Sequence, residues 1–444
     1  MQPVSYYIFN NNGIFNAING QTASTDFASS DAAVVIQSAV NALFKGGIIH
    51  LTGNTTFTLS SPLIFSGGLG DDYNQEWILE GEGASSIISQ SNTGMDAIVI
   101  KNQTKVHFHD FKVLTAANAG HGLFGSNDGT SSEISAQLSR FRNLVFEGLG
   151  PTGTYDSVIH MINGFENEWT GLEIQGHPAF SGAALILENN SQNINYGNST
   201  FNQIYISSLT ADGIHITGTP GQRTHHTLNA FMGLYVEGHN APPGSRGLYL
   251  GEGATLGTFL LPDIENFDYA IYMNGTSSNR VLGNRFYGGY LQSTTASIVT
   301  GNYGCGNSFR DIHLSNNVVG GAPIHISDAN NLLPANQYEN LLWSGNGTMS
   351  ITGAVPPLFS GPGGKDQYFS NYGTNAQSGD GSNSTFTIAH NLVRTPRYFQ
   401  AANGATGMPQ ISYVSADSSD ITVYFLTPPP AGINNVVLLW EATV

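Results

Sequence analysis

The sequence predicts an all-β chain: a parallel β-helix capped by one N-terminal helix and followed by a small β-sandwich. A recurring phrase is the first observation behind this. "NEWTGLEIQG" from Asn167 returns as "NAFMGLYVEG" from Asn229, "NRFYGGYLQS" from Asn284, "NSFRDIHLSN" from Asn307 and "NQYENLLWSG" from Asn336, with looser copies led by Phe108, Phe141, Phe201 and Phe259. The leading aromatics Phe108, Phe141, Trp169, Phe201, Phe231, Phe259, Phe286, Phe309 and Tyr338 stand about 23 to 33 residues apart, the range of solenoids and propellers. A second observation is the short strand between successive copies: "DAIVI", "SVIHMI", "AALIL", "DGIHIT", "RGLYL", "YAIYM", "ASIVT" and "APIHIS". Two short strands and no helix-length apolar pattern per cycle fit a rung that buries its apolar face only by stacking on its neighbours. A propeller blade needs about four strands in about 40 residues, which these cycles cannot hold. Composition is the third observation: 54 glycines and only 10% charged residues describe a polar, turn-rich chain.

The elements follow in order. Residues 1–30 read as an irregular or strand-like segment. "SDAAVVIQSAVNALFKGG" is a helix over 31–44, with Ser30 or Asp31 as cap and Gly46-Gly47 as stop, placed to cover the open first rung. "GGIIHLTGNTTFTLSSPLIF" and "EWILEGEGASSIIS" supply the first rungs, and the β-helix is expected over 31–353. "GAVPPLFSGPGG" reads as a Pro/Gly linker over 354–365. Longer alternating strands over 366–444, such as "STFTIAH", "DITVYFLT" and "NNVVLLWEA", read as the sandwich.

The helix, the Gly-Gly, the following strands and the "GEG" turn resemble the start of pectate-lyase-superfamily (pectin-lyase-like) right-handed β-helix proteins, viral tailspikes among them. "FTIAHNLVRTP" with "DITVYFLTPPPAGINNVVLLWEA" resembles a small C-terminal β-sandwich of phage and archaeal-virus fibres. The usual proline of the family's "P-x-G-x-Y" rung is missing, since "LTGNTTF" stands there. The resemblance implies a right-handed helix of rungs. It does not select a chemistry, because one fold hosts many functions.

A net charge of -17 argues against nucleic acid or anionic membranes as partners. The single cysteine, Cys305, excludes an internal disulfide framework and a thiolate metal cluster. No run of about 20 apolar residues is present, so no membrane-inserted segment is expected. The first residues lack a basic and an apolar leader region, so they read as no ordinary secretion signal. Removal of a leader, or exit by another route such as a virus particle, is the expectation, with an extracellular, cell-surface or virion location.

Counting from each leading aromatic as zero, positions three and five are apolar and positions four and six point outward. Position four gives Val145, Glu173, Tyr205, Tyr235, Asp263, Tyr290 and His313, and position six gives Glu147, Gln175, Ser207, Glu237, Glu265, Gln292 and Ser315. Rings that cover sugar faces and carboxylates that bond hydroxyls make this a bed for an extended glycan. The expected catalytic residues are Glu237, Glu265 and Asp263, with Glu173, Tyr205, Tyr235, His239 and Tyr290 contacting substrate, because glycoside hydrolysis needs one protonated and one ionised carboxyl. A solvated acidic stripe is the competing reading. The other strand's outward positions, Val99, His160, Ile186, His215, Tyr249, Tyr272, Val299 and His325, form a largely apolar row that predicts a homotrimer.

Neither a metal nor a cofactor is expected. "RTHH" at Arg223 has no third ligand at recognisable spacing. The "GHG" at His121 and the "GDDY" at Gly70 lie too far apart for a polygalacturonase-type site. Two functions stay open: a carbohydrate-active depolymerase (a glycoside hydrolase or a polysaccharide lyase), and a non-catalytic adhesin or fibre subunit of the same fold.

Overall fold

The computed structural model describes residues 5–43, 45–66, 76–101, 103–116, 119–126, 135–148, 157–175, 182–190, 195–209, 212–218, 225–239, 241–316, 324–343, 348–354, 357–360, 370–392 and 395–443. Strands dominate, and Ala32–Ala42 is the one α-helix among them. Asp31 caps this helix by accepting a 2.9 Å bond from the Ala33 amide. Its Ala32, Ala33, Val35, Ile36, Ala39 and Val40 face is buried in the main core, closing the first rung. Before it, Ser5–Asn11 pairs antiparallel with Ile14–Asn19 and parallel with Gly47–Leu51, so the N-terminal strands join the first rung.

The rungs form a parallel β-helix. One column carries the leading aromatics, in the register Phe108, Phe141, Trp169, Phe201, Phe231, Phe259, Phe286, Phe309 and Tyr338. These side chains are at most 1% exposed. From Phe201 to Tyr338 their rings stack at 4.3 to 5.1 Å with planes within 8° of parallel. The column continues one rung further than residue 353, because Leu358–Ser360 pairs with Gln337–Glu339.

Beneath the rings runs a second internal ladder. The Oδ1 atoms of Asn167, Asn229, Asn284, Asn307 and Asn336 accept the amides of Ser139, Ser199, Gly257, Asn284 and Asn307 on the preceding rung. Buried side-chain amides are thereby satisfied, which an apolar core demands.

From Phe108 onward the described rungs turn this corner the same way. Position two is left-handed in nine consecutive rungs, at Asp110, Asn143, Gly171, Gln203, Gly233, Leu261, Gly288, Asp311 and Asn340. This single residue bends the strand from the aromatic column into the column of positions three to six. A third column holds Ile98–Lys101, Leu123–Ser126, Ser157–Ile162, Ala183–Asn189, Asp212–Gly218 and Arg246–Leu250, and goes on through the ends of Asp263–Met273 and Tyr290–Thr300.

The C-terminal strands form two three-stranded antiparallel sheets. Ser370–Gly379, Gly432–Thr443 and Tyr398–Asn403 make one; Thr385–Ala389, Asp420–Phe425 and Ile411–Ala416 make the other. They enclose a separate core of Phe386, Ile388, Ile421, Val423, Phe425, Val436 and Leu438. No helix among the described residues is long and apolar enough to cross a membrane.

Candidate functional site

The row of position-four residues lies in continuous register. Glu173 pairs with Tyr205, Tyr205 with Tyr235, Tyr235 with Asp263, Asp263 with Tyr290, and Tyr290 with His313. Position six brings Glu237 beside Glu265. Inward-facing Leu234, Val236, Ile264 and Leu291, each at most 1% exposed, hold this row outward by strand alternation.

Across the row, Tyr205 and Tyr235 stack with ring centroids 4.8 Å apart and planes 3° from parallel. The Tyr235 hydroxyl donates to Glu237 Oε2 at 3.1 Å, and burial together with that carboxylate raises the phenol above its usual range. Gln175 donates to Glu173 at 2.6 Å, and Gln292 reaches the Tyr290 hydroxyl at 3.4 Å. His239 sits exposed just beyond the strand Ala230–Gly238 that carries Tyr235 and Glu237.

Asp263 and Glu265 form the electrostatic centre. Burial raises the Asp263 carboxyl above the ordinary carboxylate range, with help from the Glu237 charge and against the Glu265 hydrogen bond. Glu265 is raised by burial, by the Asp263 charge and hydrogen bond, and by Glu237. The Oδ1 atom of Asp263 is buried without a hydrogen-bond partner. Such a pair keeps a proton beyond the pH at which a solvated carboxyl loses it, and that proton resides on Glu265 in the arrangement where Asp263 accepts its bond.

The outward row of the third column differs from expectation. Its register is Val99, Phe124, His160, Ile186, His215, Tyr249, Tyr272, Val299 and Ser327, so Phe124 belongs to it and His325 does not. His325 is fully buried, and burial lowers its imidazole to about 4. The adjoining row of Gly122, Val158, Ala184, Gly213, Gly247, Ala270 and Ser297 is small because it turns into the core. A Cβ at Gly213 meets a Val236 methyl at 2.4 Å, and one at Gly247 meets an Ile264 methyl at 2.1 Å. Alternation therefore breaks at this corner.

Two polar clusters went unread in the sequence. Asp212 accepts the Arg246 amide at 2.6 Å and its Nε at 2.7 Å, and lies 2.6 Å from His215 Nε2. Burial works against the Asp212 charge, but His215 and Arg246 outweigh it and its pKa is lowered. Arg246 stacks on Tyr249 at 4.2 Å. With both carboxylate oxygens occupied, this cluster clamps neighbouring rungs. At the N-terminal rungs, His50 lies between Glu80 and Glu82 at 3.0 and 3.1 Å and stacks on Tyr7.

His121 of the "GHG" segment is buried 2.9 Å from Asp96 Oδ1, while the "GDDY" segment lies outside the described residues. His226 of "RTHH" is fully enclosed and accepts from Asn229 at 2.6 Å, with its imidazole lowered by burial to about 4. Among the described residues, no three His, Cys, Asp or Glu side chains converge in a way that could hold a metal ion.

No protein-family model matches the chain, and no curated protein sequence matches it. Several solved structures are similar. The A-module of the mannuronan C-5 epimerase AlgE4 of Azotobacter vinelandii is 14% identical with a TM-score of 0.46, over 74% of this chain and 92% of that one. The tailspike gp61 of Pseudomonas phage phi297 is 10% identical with a TM-score of 0.41, over 91% of each chain. The surface protein and adhesin PfbA of Streptococcus pneumoniae is 10% identical with a TM-score of 0.40, over 76% of this chain and 95% of that one. The fold rests on the strand register above rather than on these likenesses.

Proposed function

We propose that the chain recognises a polysaccharide along the Glu173–Tyr205–Tyr235–Asp263–Tyr290 row, and that Glu237 and Glu265 cleave it as a glycoside hydrolase. The observation that carries the reading is the Asp263–Glu265 pair, raised in pKa and set one rung from Glu237, whose carboxylate is held by Tyr235. Rung spacing sets the Glu237 and Glu265 backbones about 4.8 Å apart on one face, which leaves the about 5 Å carboxyl separation of a covalent glycosyl intermediate within reach of their side chains.

In this mechanism Glu265 is the acid. Its proton passes to the glycosidic oxygen as the bond to the anomeric carbon breaks. Glu237 Oε supplies the electron pair that forms the new bond to that carbon. Water then displaces Glu237, and Glu265 takes the water's proton back. Asp263 stays out of bond-making and keeps Glu265 protonated. The tyrosines cover the apolar sugar faces, and Tyr235→Ala is expected to weaken binding by roughly 1–3 kcal/mol.

The deciding experiment measures reducing-end release from surface polysaccharides alongside retention on the same polysaccharides. Wild type releasing ends, with Glu237→Gln binding without release, supports the hydrolase. Binding by wild type with no release from any of them supports the non-catalytic adhesin or fibre reading. That second reading has an observation of its own: the Tyr205–Tyr235 stack lies on an outer face, where rings bind sugars without chemistry. An extracellular or virion location and a homotrimeric state belong to the same proposal.

A further inference from the structure

We propose that the C-terminal sandwich carries a second glycan-binding site, a groove on the outer face of the sheet formed by Ser370–Gly379, Gly432–Thr443 and Tyr398–Asn403, and that it takes a neutral oligosaccharide. The groove is open to solvent along one side and has a volume of about 490 Å³, within the size of small-ligand sites. The side chains of Tyr372, Thr374, Gln400, Ala402, Leu439 and Glu441 line it from the outer face. Strand pairing sets Tyr372 and Gln400 on either side of Glu441, and Thr374 beside Leu439.

Three features select the ligand class. Tyr372 is 80% exposed, a ring with almost no packing partner on its own sheet, and Leu439 beside it is 48% exposed. Glu441 is fixed before any ligand arrives: Gln400 Nε2 donates to its Oε1 at 2.5 Å, and Tyr398 hydrogen-bonds to it. Apolar and hydrogen-bonding groups therefore alternate across the face at side-chain spacing, as the faces and hydroxyls of a sugar ring do. A packed protein partner would favour a more continuous apolar core. The Glu441 carboxylate and the chain charge of -17 disfavour an anionic glycan.

This site rests on the glycan-recognising reading for its ligand class but uses none of the β-helix residues. It makes the sandwich a binding module that holds the polymer while the β-helix engages it elsewhere, a gain in avidity through a second contact.

The test uses the full chain on an array of neutral and uronate-bearing oligosaccharides, followed by calorimetric titration with the tightest neutral one. The expected result is a neutral ligand that binds, with Kd weakened about tenfold or more in Tyr372→Ala and unmoved in Tyr235→Ala. Circular dichroism confirms that the Tyr372 variant is folded. The site is overturned if no neutral oligosaccharide binds, if only uronate-bearing ones do, or if Tyr372→Ala leaves binding intact. A fall in light-scattering mass on Tyr372→Ala also overturns it, because the groove is then a contact between copies. Binding lost in Tyr235→Ala but kept in Tyr372→Ala removes this site and leaves the β-helix reading standing. The opposite pattern removes the β-helix face and leaves the groove.

Discussion

Burial and mutual charge push the Asp263 and Glu265 carboxyls upward, and this couples stability to pH in a direction opposite to most surface carboxylates. Folding favours their protonated forms. The contribution is complete below the unfolded values of about 3.9 and 4.3, and it is lost as pH rises through the folded ones. Glu265→Gln keeps the hydrogen bond and removes the charge. It is expected to raise Tm at about pH 7.5 and to leave Tm unchanged near about pH 4. Equal effects at both values would show that the pair is solvated. The same electrostatics predict a kinetic signature. If Glu265 is the acid, Asp263→Asn lowers its pKa, so the alkaline limb of the activity profile moves to lower pH. A limb that stays in place removes Asp263 from that role. The sequence carried the identities of these residues and their register, because the leading aromatics index every rung. It did not carry the buried Oδ1 of Asp263 or the Tyr235–Glu237 bond, which depend on how deeply each side chain sits.

At the scale of a rung, the stacked rings and the left-handed corners play different parts. Phe231 is fully buried between Phe201 and Phe259, at centroid distances of 4.3 and 5.0 Å. Phe231→Ala leaves a cavity in a column whose neighbours cannot collapse, and about 3–5 kcal/mol of destabilisation is expected in chemical denaturation. The corners behave in the opposite sense. Leu228 has φ 56° and is 54% exposed, so Leu228→Gly removes backbone strain while little packing is lost. The strain relieved is about 1–2 kcal/mol and the entropy cost of glycine about 0.5–1 kcal/mol, so a small net gain is expected. A loss above about 1 kcal/mol would mean that the exposed leucine packs against something outside its own chain. These corners show where sequence reading stops. Asn, Asp and Gly at position two signal a left-handed residue, but Gln203 and Leu261 occupy the same place in the same conformation, and Leu138, Leu228 and Leu256 occupy an equivalent corner three residues before the aromatic. Stacking imposes the conformation that local propensity withholds. The misplacement of His325 has the same origin, since the small-residue row folds inward where strict alternation points it out.

For the molecule as a whole, His226 and His325 make an acid-labile core. Burial lowers both to about 4, against about 6.5 when unfolded, so the unfolded chain binds more protons between those values. Their contribution is complete above about pH 6.5 and is lost as pH falls toward about 4. Calorimetry is expected to show Tm falling through that window, and a level Tm would mean that the imidazoles reach water. The proposed homotrimer raises the question of which surface it uses. Within one chain Val99 and Ile186 are each only 6% exposed, so the third-column row has little apolar area left to bury. Leu228, Met232, Leu256 and Leu261 are 54%, 39%, 47% and 66% exposed and belong to neighbouring rungs, which makes their side of the solenoid the stronger candidate. Assembly through this side predicts a light-scattering mass of about three times the 47.2 kDa chain. Leu261→Asp should then reduce the mass to that of one chain, since a carboxylate closed into an apolar contact without a partner is costly. Ile186→Asp is the contrasting variant: if it releases monomers while Leu261→Asp does not, the third-column row is the interface after all. A wild-type chain that scatters as a monomer at micromolar concentration removes the assembly from the proposal and leaves the leucine side facing solvent.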